Sequence, residues 1–187
     1  MKLFRAREYK RMPWKNGGGE TVEIAVFPPD ASIDDFDWRI SMATVASDGP
    51  FSIFPGIDRT LSILDGNGMS LSINRAVPIV MNETSEPLSF AADVPVSAVL
   101  VDGPITDLNV MTRRGRFSHR VERKSENILI EPPTIGETVF VLAMGTMSLK
   151  TDGQAVDLDA LDAALIETQT QVITGHAAFY LISLRTL

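Results

Sequence analysis

Alternation of apolar and polar residues at period two runs through most of this chain, and it restricts the fold more than any other feature. In Thr21-Val22-Glu23-Ile24-Ala25-Val26-Phe27, Trp38-Arg39-Ile40-Ser41-Met42-Ala43-Thr44-Val45, Thr60-Leu61-Ser62-Ile63-Leu64 and Met69-Ser70-Leu71-Ser72-Ile73, every second side chain falls on one face. That is the pattern of strands with one buried face. Residues 96–101, 127–130, 138–142 and 178–183 repeat it. Many short strands separated by turn residues predict an all-β sandwich or barrel with little helix. The segment Leu158-Asp159-Ala160-Leu161-Asp162-Ala163-Ala164-Leu165-Ile166 alone has helical spacing, as a short amphipathic helix or as one helical turn leading into a strand. Asp65-Gly66-Asn67-Gly68 tolerates the positive φ of tight turns and predicts a hairpin between its flanking strands.

The alternation also repeats on a larger scale. TLSILDGNGMSLSI, beginning at Thr60, lies over TVFVLAMGTMSLKT, beginning at Thr138, at an offset of 138 − 60 = 78. Leu64 and Leu142, Met69 and Met147, Ser70 and Ser148, and Leu71 and Leu149 coincide, and the same offset places Leu88 on Ile166 and Val94 on Val172. Two copies of one β-unit follow, which a chain of 187 residues can hold as two small barrels sharing a core.

With 24 acidic against 17 basic residues the formal charge is −7, so the chain has no overall footprint for nucleic acid or an anionic membrane. The basic run from Arg113 to Arg120 reads as a solvated connection between the two halves. The absence of cysteine excludes disulfides, thiolate metal sites and a cysteine nucleophile. With no signal-peptide or transmembrane run, a cytoplasmic location is expected. His119 and His176, the only histidines, lack ligand spacing, so neither a histidine-rich metal centre nor a cofactor is expected. A carboxylate-only site stays open. Neither a Ser-His-Asp arrangement nor a phosphate-binding glycine fingerprint has support, and no catalytic residue is assigned.

Three places carry binding chemistry. In Met12-Pro13-Trp14-Lys15-Asn16-Gly17-Gly18-Gly19-Glu20-Thr21, a cation, an amide and an indole precede three glycines. Glycine amides can approach an anion closely, Lys15 adds charge, Asn16 adds direction, and Trp14 adds an apolar wall with one donor. A plain flexible turn is the alternative. Arg39 and Ser41 share one face of a strand, which forms a pocket wall if it points inward. Arg59 starts a strand beneath the aromatic loop Phe51-Ser52-Ile53-Phe54-Pro55-Gly56-Ile57-Asp58, either at a site or in a salt bridge to Asp58 or another loop carboxylate.

Together MPWKNGGGETVEIAVFP, WRISMATVASDGPFSIFPGIDRTLSILDGNG and DLNVMTRRG closely resemble the HutD/Ves family, with LDALDAALIET following its looser C-terminal pattern. The resemblance implies a cupin-type β-barrel in duplicated, bicupin form, with one barrel in residues 1–112 and a second in 113–187, packed as one compact unit. It implies a link to bacterial histidine utilisation, through regulation or an accessory role, by binding a small metabolite. Carried onto this sequence, the family's pocket motif falls on Trp14, Lys15, Asn16 and Gly17, with Arg39, Ser41, Arg59 and Asn109 from the other motifs. The missing histidines of metal-dependent cupins agree with a metal-independent role.

The leading expectation is therefore binding of a small anionic metabolite, such as urocanate or formylglutamate, with neither nucleic acid nor membrane as partner and a homodimer left open. A carboxylate would be held by charge from Lys15 or Arg59 and by direction from Asn16. The alternatives are a metal-independent enzyme acting on a small carboxylic acid, with Lys15 as acid or base, and a protein-interaction module.

Overall fold

The computed structural model describes residues 1–14 and 17–187. Along the chain lie β1 (Lys2–Phe4), β2 (Lys10–Pro13), β3 (Gly19–Phe27), β4 (Trp38–Val45), β5 (Gly49–Pro50), β6 (Ile57–Asp65), β7 (Met69–Ile73), β8 (Ile79–Met81), β9 (Leu88–Ala91) and β10 (Val96–Leu100). They continue as β11 (Ile105–Arg113), β12 (Phe117–Lys124), β13 (Ile128–Ile130), β14 (Glu137–Ala143), β15 (Met147–Thr151), β16 (Gln154–Leu158), β17 (Ala163–Ile166), β18 (Thr170–Ile173) and β19 (Phe179–Thr186). A 3-10 turn at Ala6–Glu8 is the one helical element among the described residues, and among them no helix is long and apolar enough to cross a membrane. The chain divides into an N-terminal unit, Lys10–Ser118, and a C-terminal unit, Met1–Tyr9 with His119–Leu187.

In the N-terminal unit a six-stranded sheet of order β2-β3-β4-β11-β6-β9 faces a four-stranded sheet of order β5-β10-β7-β8. Their facing sides meet in one apolar cluster: Ala43, Val45, Leu61 and Ile63 from the larger sheet against Met69, Leu71, Val96 and Ala98 from the smaller. These are the alternate positions of the period-two runs, and each aliphatic side chain removed from water contributes ~1.5–3 kcal/mol. The Asp65–Gly68 turn is not the hairpin its sequence predicts. β6 pairs with β11 and β9, whereas β7 pairs with β10 and β8, so the turn carries the chain from one sheet to the other. Its glycines meet that demand: Gly68 has φ +95, and a Cβ there would lie 2.1 Å from the Met81 carbonyl oxygen. The turn chemistry was read correctly, but local residues do not say which sheet receives the next strand.

The C-terminal unit has sheets of order β1-β17-β14-β19-β12 and β13-β18-β15-β16 around a second apolar cluster that includes Val139, Val141, Leu149, Ala164, Val172 and Phe179. Strand for strand, β4-β11-β6-β9 corresponds to β12-β19-β14-β17, and β5-β10-β7-β8 to β13-β18-β15-β16. The sequence repeat thus marks a duplicated unit, with the β6–β7 segment matching β14–β15. Two expectations change in detail, and one open alternative is decided. The division falls after Ser118, and Met1–Tyr9 groups with the C-terminal unit, where Lys2, Leu3 and Phe4 pair with Leu165, Ala164 and Ala163. The LDALDAALI segment forms a turn, with Leu161 at φ +67, leading into β17, because Ala163 and Ala164 are claimed by pairing to both β1 and β14. Such pairing overrides helix propensity. The basic run, read as a connection, supplies the end of β11 and the start of β12.

Candidate functional site

The inner face of the larger N-terminal sheet grades from apolar to polar along its strands. In register across β4, β11 and β6 lie the rows Ala43–Asp107–Ile63, Ser41–Asn109–Leu61 and Arg39–Met111–Arg59. Thr21 and Glu23 of β3 extend the first two rows opposite Ala43 and Ser41. The pairing therefore brings Arg39, Ser41, Arg59 and Asn109 onto one face of adjacent strands, and all four are buried. This settles what periodicity left open, since the polar side of Trp38-Arg39-Ile40-Ser41 points inward.

Arg59 is the least satisfied of these groups. It is 6% exposed, and its Nε, cut off from solvent, has no hydrogen-bond acceptor among the described residues. The guanidinium lies 5.4, 5.2 and 5.9 Å from the ring centres of Phe51, Phe54 and Phe90. Ring faces attract a cation but accept none of its directed hydrogen bonds. Burial lowers the Arg59 pKa to about 10, with Asp107 opposing and nearby Arg39 adding to the shift, so the side chain stays cationic at neutral pH. The salt-bridge alternative for Arg59 is not what forms: Asp58 is taken by Arg114, which also binds Asp93.

The other charges are paired differently. Arg39 Nε donates to Glu23 at 2.8 Å, a largely buried ion pair. Asp107 is 1% exposed and accepts a 2.6 Å hydrogen bond from Asn109 Nδ2. Burial pushes its carboxyl up to about 7, while Arg59, the Asn109 amide and the Ala43 backbone pull the other way. The interior thus holds two guanidinium groups, one closed pair, and one carboxyl poised near neutrality.

Lys15 and Asn16 lie outside the described residues. Of their neighbours, Gly17 is exposed at φ +72 and donates its N–H to the Trp14 carbonyl, so this amide is already occupied. Gly19 is required for a different reason: a Cβ there would lie 2.1 Å from the Thr44 carbonyl oxygen and 3.0 Å from the Trp14 ring. Trp14 packs against the inner apolar cluster, and its indole N–H donates to Thr21 Oγ1 at 2.8 Å. It walls the same interior face, with its own donor already occupied.

Glu23, Asp107 and the ring of Phe90 were not singled out from sequence, whereas Phe51 and Phe54 belong to the aromatic loop above Arg59 that was. Asp107 was within reach, because it alternates with Asn109 in DLNVMTRRG and must share its face. A cleft of about 290 Å³ lined by Ile33, Phe36, Ile53, Phe54 and Arg113 shares the Phe54 ring with the Arg59 environment. The C-terminal unit has a cleft of about 450 Å³ around Arg5, Asp157 and Asp162, where Arg5 is bonded to Asp162 and to the Asp157 carbonyl. In that unit the registers place Glu137 where Arg59 stands, Leu181 where Asp107 stands, and Ser183 where Asn109 stands. Only the N-terminal interior has the polar set. Among the described residues no three His, Asp or Glu side chains are grouped to hold a metal ion.

Two facing antiparallel sheets of this order, present twice, define a duplicated cupin-type fold. A cupin 2 conserved barrel domain protein from Leptotrichia buccalis shares it, with a TM-score of 0.60 at 12% identity over 95% of this chain and 96% of its own. Within that class the chain belongs to the HutD family, whose sequence profile matches residues 6–181. It is similar to protein Ves of Citrobacter koseri, 38% identical over 144 residues, 76% of this chain and 73% of the relative. The structure of HutD from Pseudomonas fluorescens SBW25, in a formate condition, aligns with a TM-score of 0.83 at 28% identity, covering 100% of this chain and 98% of that one.

Proposed function

We propose that the chain is a cytosolic metabolite-binding cupin, a regulatory or accessory protein of histidine utilisation, whose ligand is a small carboxylate held inside the N-terminal unit. The observation that carries this reading is Arg59: a buried guanidinium with an orphaned Nε among aromatic rings. A buried donor without an acceptor costs ~1–3 kcal/mol, and a carboxylate is the planar acceptor its fork matches. Asn109 and Ser41 lie one row further in, placed to orient the rest of the molecule. Lys15 and Asn16, which lie outside the described residues, would add charge and direction to the hold on the carboxylate. The HutD structure from Pseudomonas fluorescens is of a formate condition, and formate is the simplest member of this ligand class.

The test is a thermal-shift screen of urocanate, formylglutamate, glutamate and formate beside their amides. A ligand a hundredfold above its Kd adds ~2.7 kcal/mol, which for a chain of this length is roughly 5 to 11 °C. At least one acid should exceed its amide, and Arg59→Gln and Lys15→Ala should abolish the difference. Equal shifts for acids and amides would remove the anion site.

A second reading, a metal-independent enzyme acting on a similar acid, is favoured by Asp107, whose carboxyl near pH 7 is matched to proton transfer. Incubating each acid with the protein and following its proton spectrum tests this. Turnover that disappears in Asp107→Asn supports catalysis, and unchanged acids leave the binding role.

A further inference from the structure

We propose that the cleft beside Phe54 is the entrance through which a small acid reaches Arg59, and that the Phe54 ring is its gate. The inference rests on the carboxylate-binding reading above and adds the way in. Arg59 is buried with three rings about its guanidinium, so a ligand meets that group only after one of its neighbours has moved. Two of the rings are held from behind. Phe51 and Phe90 pack against the apolar cluster between the two sheets of the N-terminal unit. Phe54 packs instead on the small cluster of Phe36, Ile57, Ala92 and Met111. Its ring lies 5.2 Å from the guanidinium and also lines the cleft of about 290 Å³. The space that can receive the ring is therefore next to it.

The backbone around the ring is pinned. The Phe54 N–H donates to the Ala92 carbonyl at 2.9 Å, the Gly56 N–H donates to Asp93, and the Ile57 N–H returns to the Phe54 carbonyl. Arg113, from the basic run, donates to the carbonyls of Asp34 and Phe36 and so fixes another wall of the cleft. Opening is thus rotation of one side chain and not travel of a loop. The Phe54 ring carries no polar atom, so it gives up no hydrogen bond when it turns. What holds it closed is weak and non-directional: its attraction for the Arg59 cation and an edge contact with the Phe36 ring, centre to centre 6.2 Å. A carboxylate replaces the first of these with charge-assisted hydrogen bonds, which the ring face cannot offer. Arriving acid therefore favours the open position, and Phe51 and Phe90 still flank the guanidinium when Phe54 has left it.

Phenylglyoxal, which adds to guanidinium groups, tests the gate without needing the ligand. The labelling rate of each arginine is read by peptide mass mapping and compared with the same arginine in the wild-type chain. Arg7 is exposed and serves as the open reference, while the buried Arg39 reports any general loosening of the unit. A buried group reacts through its transient openings, so Phe54→Ala should speed the labelling of Arg59 about tenfold or more and leave Arg7 and Arg39 unchanged. Phe54→Leu, which keeps an apolar side chain there, gives the same readout more weakly if the first variant fails to fold. Ile53→Trp adds bulk to the cleft and should slow the labelling of Arg59 below wild type. Formate should protect Arg59 in Phe54→Ala. An Arg59 rate that stays at the wild-type value in the Phe54 variants, or rises only together with Arg39, overturns the gate. An Ile53→Trp variant labelled as fast as wild type overturns the entrance. Either result leaves the anion site standing if formate still protects Arg59. Faster labelling that formate does not slow keeps the gate and removes the anion site.

Discussion

Asp107 shows how one residue ties stability to pH. Its carboxyl is held at about 7 in the fold by burial, above the ordinary value near 3.9 of an unfolded chain. For a raised carboxyl the folded state binds the proton more tightly. The contribution is therefore full below about pH 4 and is lost as pH rises through about 7. Asp107→Asn, which is nearly isosteric with the protonated carboxyl, should accordingly exceed wild-type stability by a larger margin near pH 8 than near pH 5, the two converging only below about pH 4. Each pKa unit is worth ~1.4 kcal/mol, and the loss of compensation for Arg59 offsets part of this, so a gain of at least ~2 °C is expected in melting scans at the two pH values. A gap that does not widen with pH would mean that Asp107 is solvated. At this scale the sequence was partly legible. Arg39, Ser41, Arg59 and Asn109 were named, and pairing places them on one face. The loop of Phe51 and Phe54 beside Arg59 was named as well, but Asp107 and Phe90 were not, because they come from strands far from Arg59 in sequence, and an aspartate in an alternating strand looks the same whether it faces water or a core.

Among the elements, the β2–β3 turn and its glycines can be taken apart experimentally. Gly17 is exposed and at positive φ with open space around it, so Gly17→Ala should cost only about 1 kcal/mol of backbone strain. At Gly19 a methyl group would collide with the Thr44 carbonyl at 2.1 Å, so Gly19→Ala should displace β3 from β4 and cost more than ~2 kcal/mol. Gly49, with nothing near its missing Cβ, is the control and should change little. Urea denaturation of the three variants reads the order, and a Gly19 variant as mild as Gly17 would contradict the packing described. Strand positions were the most readable feature of the chain, because the period-two runs mark which side is buried. Sheet membership was not: nothing in Asp65-Gly66-Asn67-Gly68 distinguishes a hairpin from a crossing between sheets, since both need the same positive φ. The strand β12 was obscured in a similar way, as its arginines and lysine masked its alternation.

For the whole molecule, the shared order of the eight corresponding strands in the two units contrasts with their different interiors. Glu137, Leu181 and Ser183 stand at the positions of Arg59, Asp107 and Asn109, so the set of Arg59, Asp107 and Asn109 is not repeated in the C-terminal unit. Calorimetric titration with the best acid should therefore saturate at one ligand per chain, and two would place a second site in the C-terminal unit. The offset repeat made the duplication legible, but not its asymmetry, because the matched stretch stops short of β11 and β19. A further consequence lies in β1. Its residues Lys2, Leu3 and Phe4 pair only with Leu165, Ala164 and Ala163, while every strand of the Lys10–Ser118 unit finds its sheet partners within that unit. During synthesis, when domains fold as they emerge, β1 leaves the ribosome ahead of the Lys10–Ser118 unit and must wait, unpaired, until residue 165 has been made, while the unit that follows it can already assemble. The order in which this chain is made is thus not the order in which it is put together, and a bulky fusion at its N-terminus would burden the unit that is finished last.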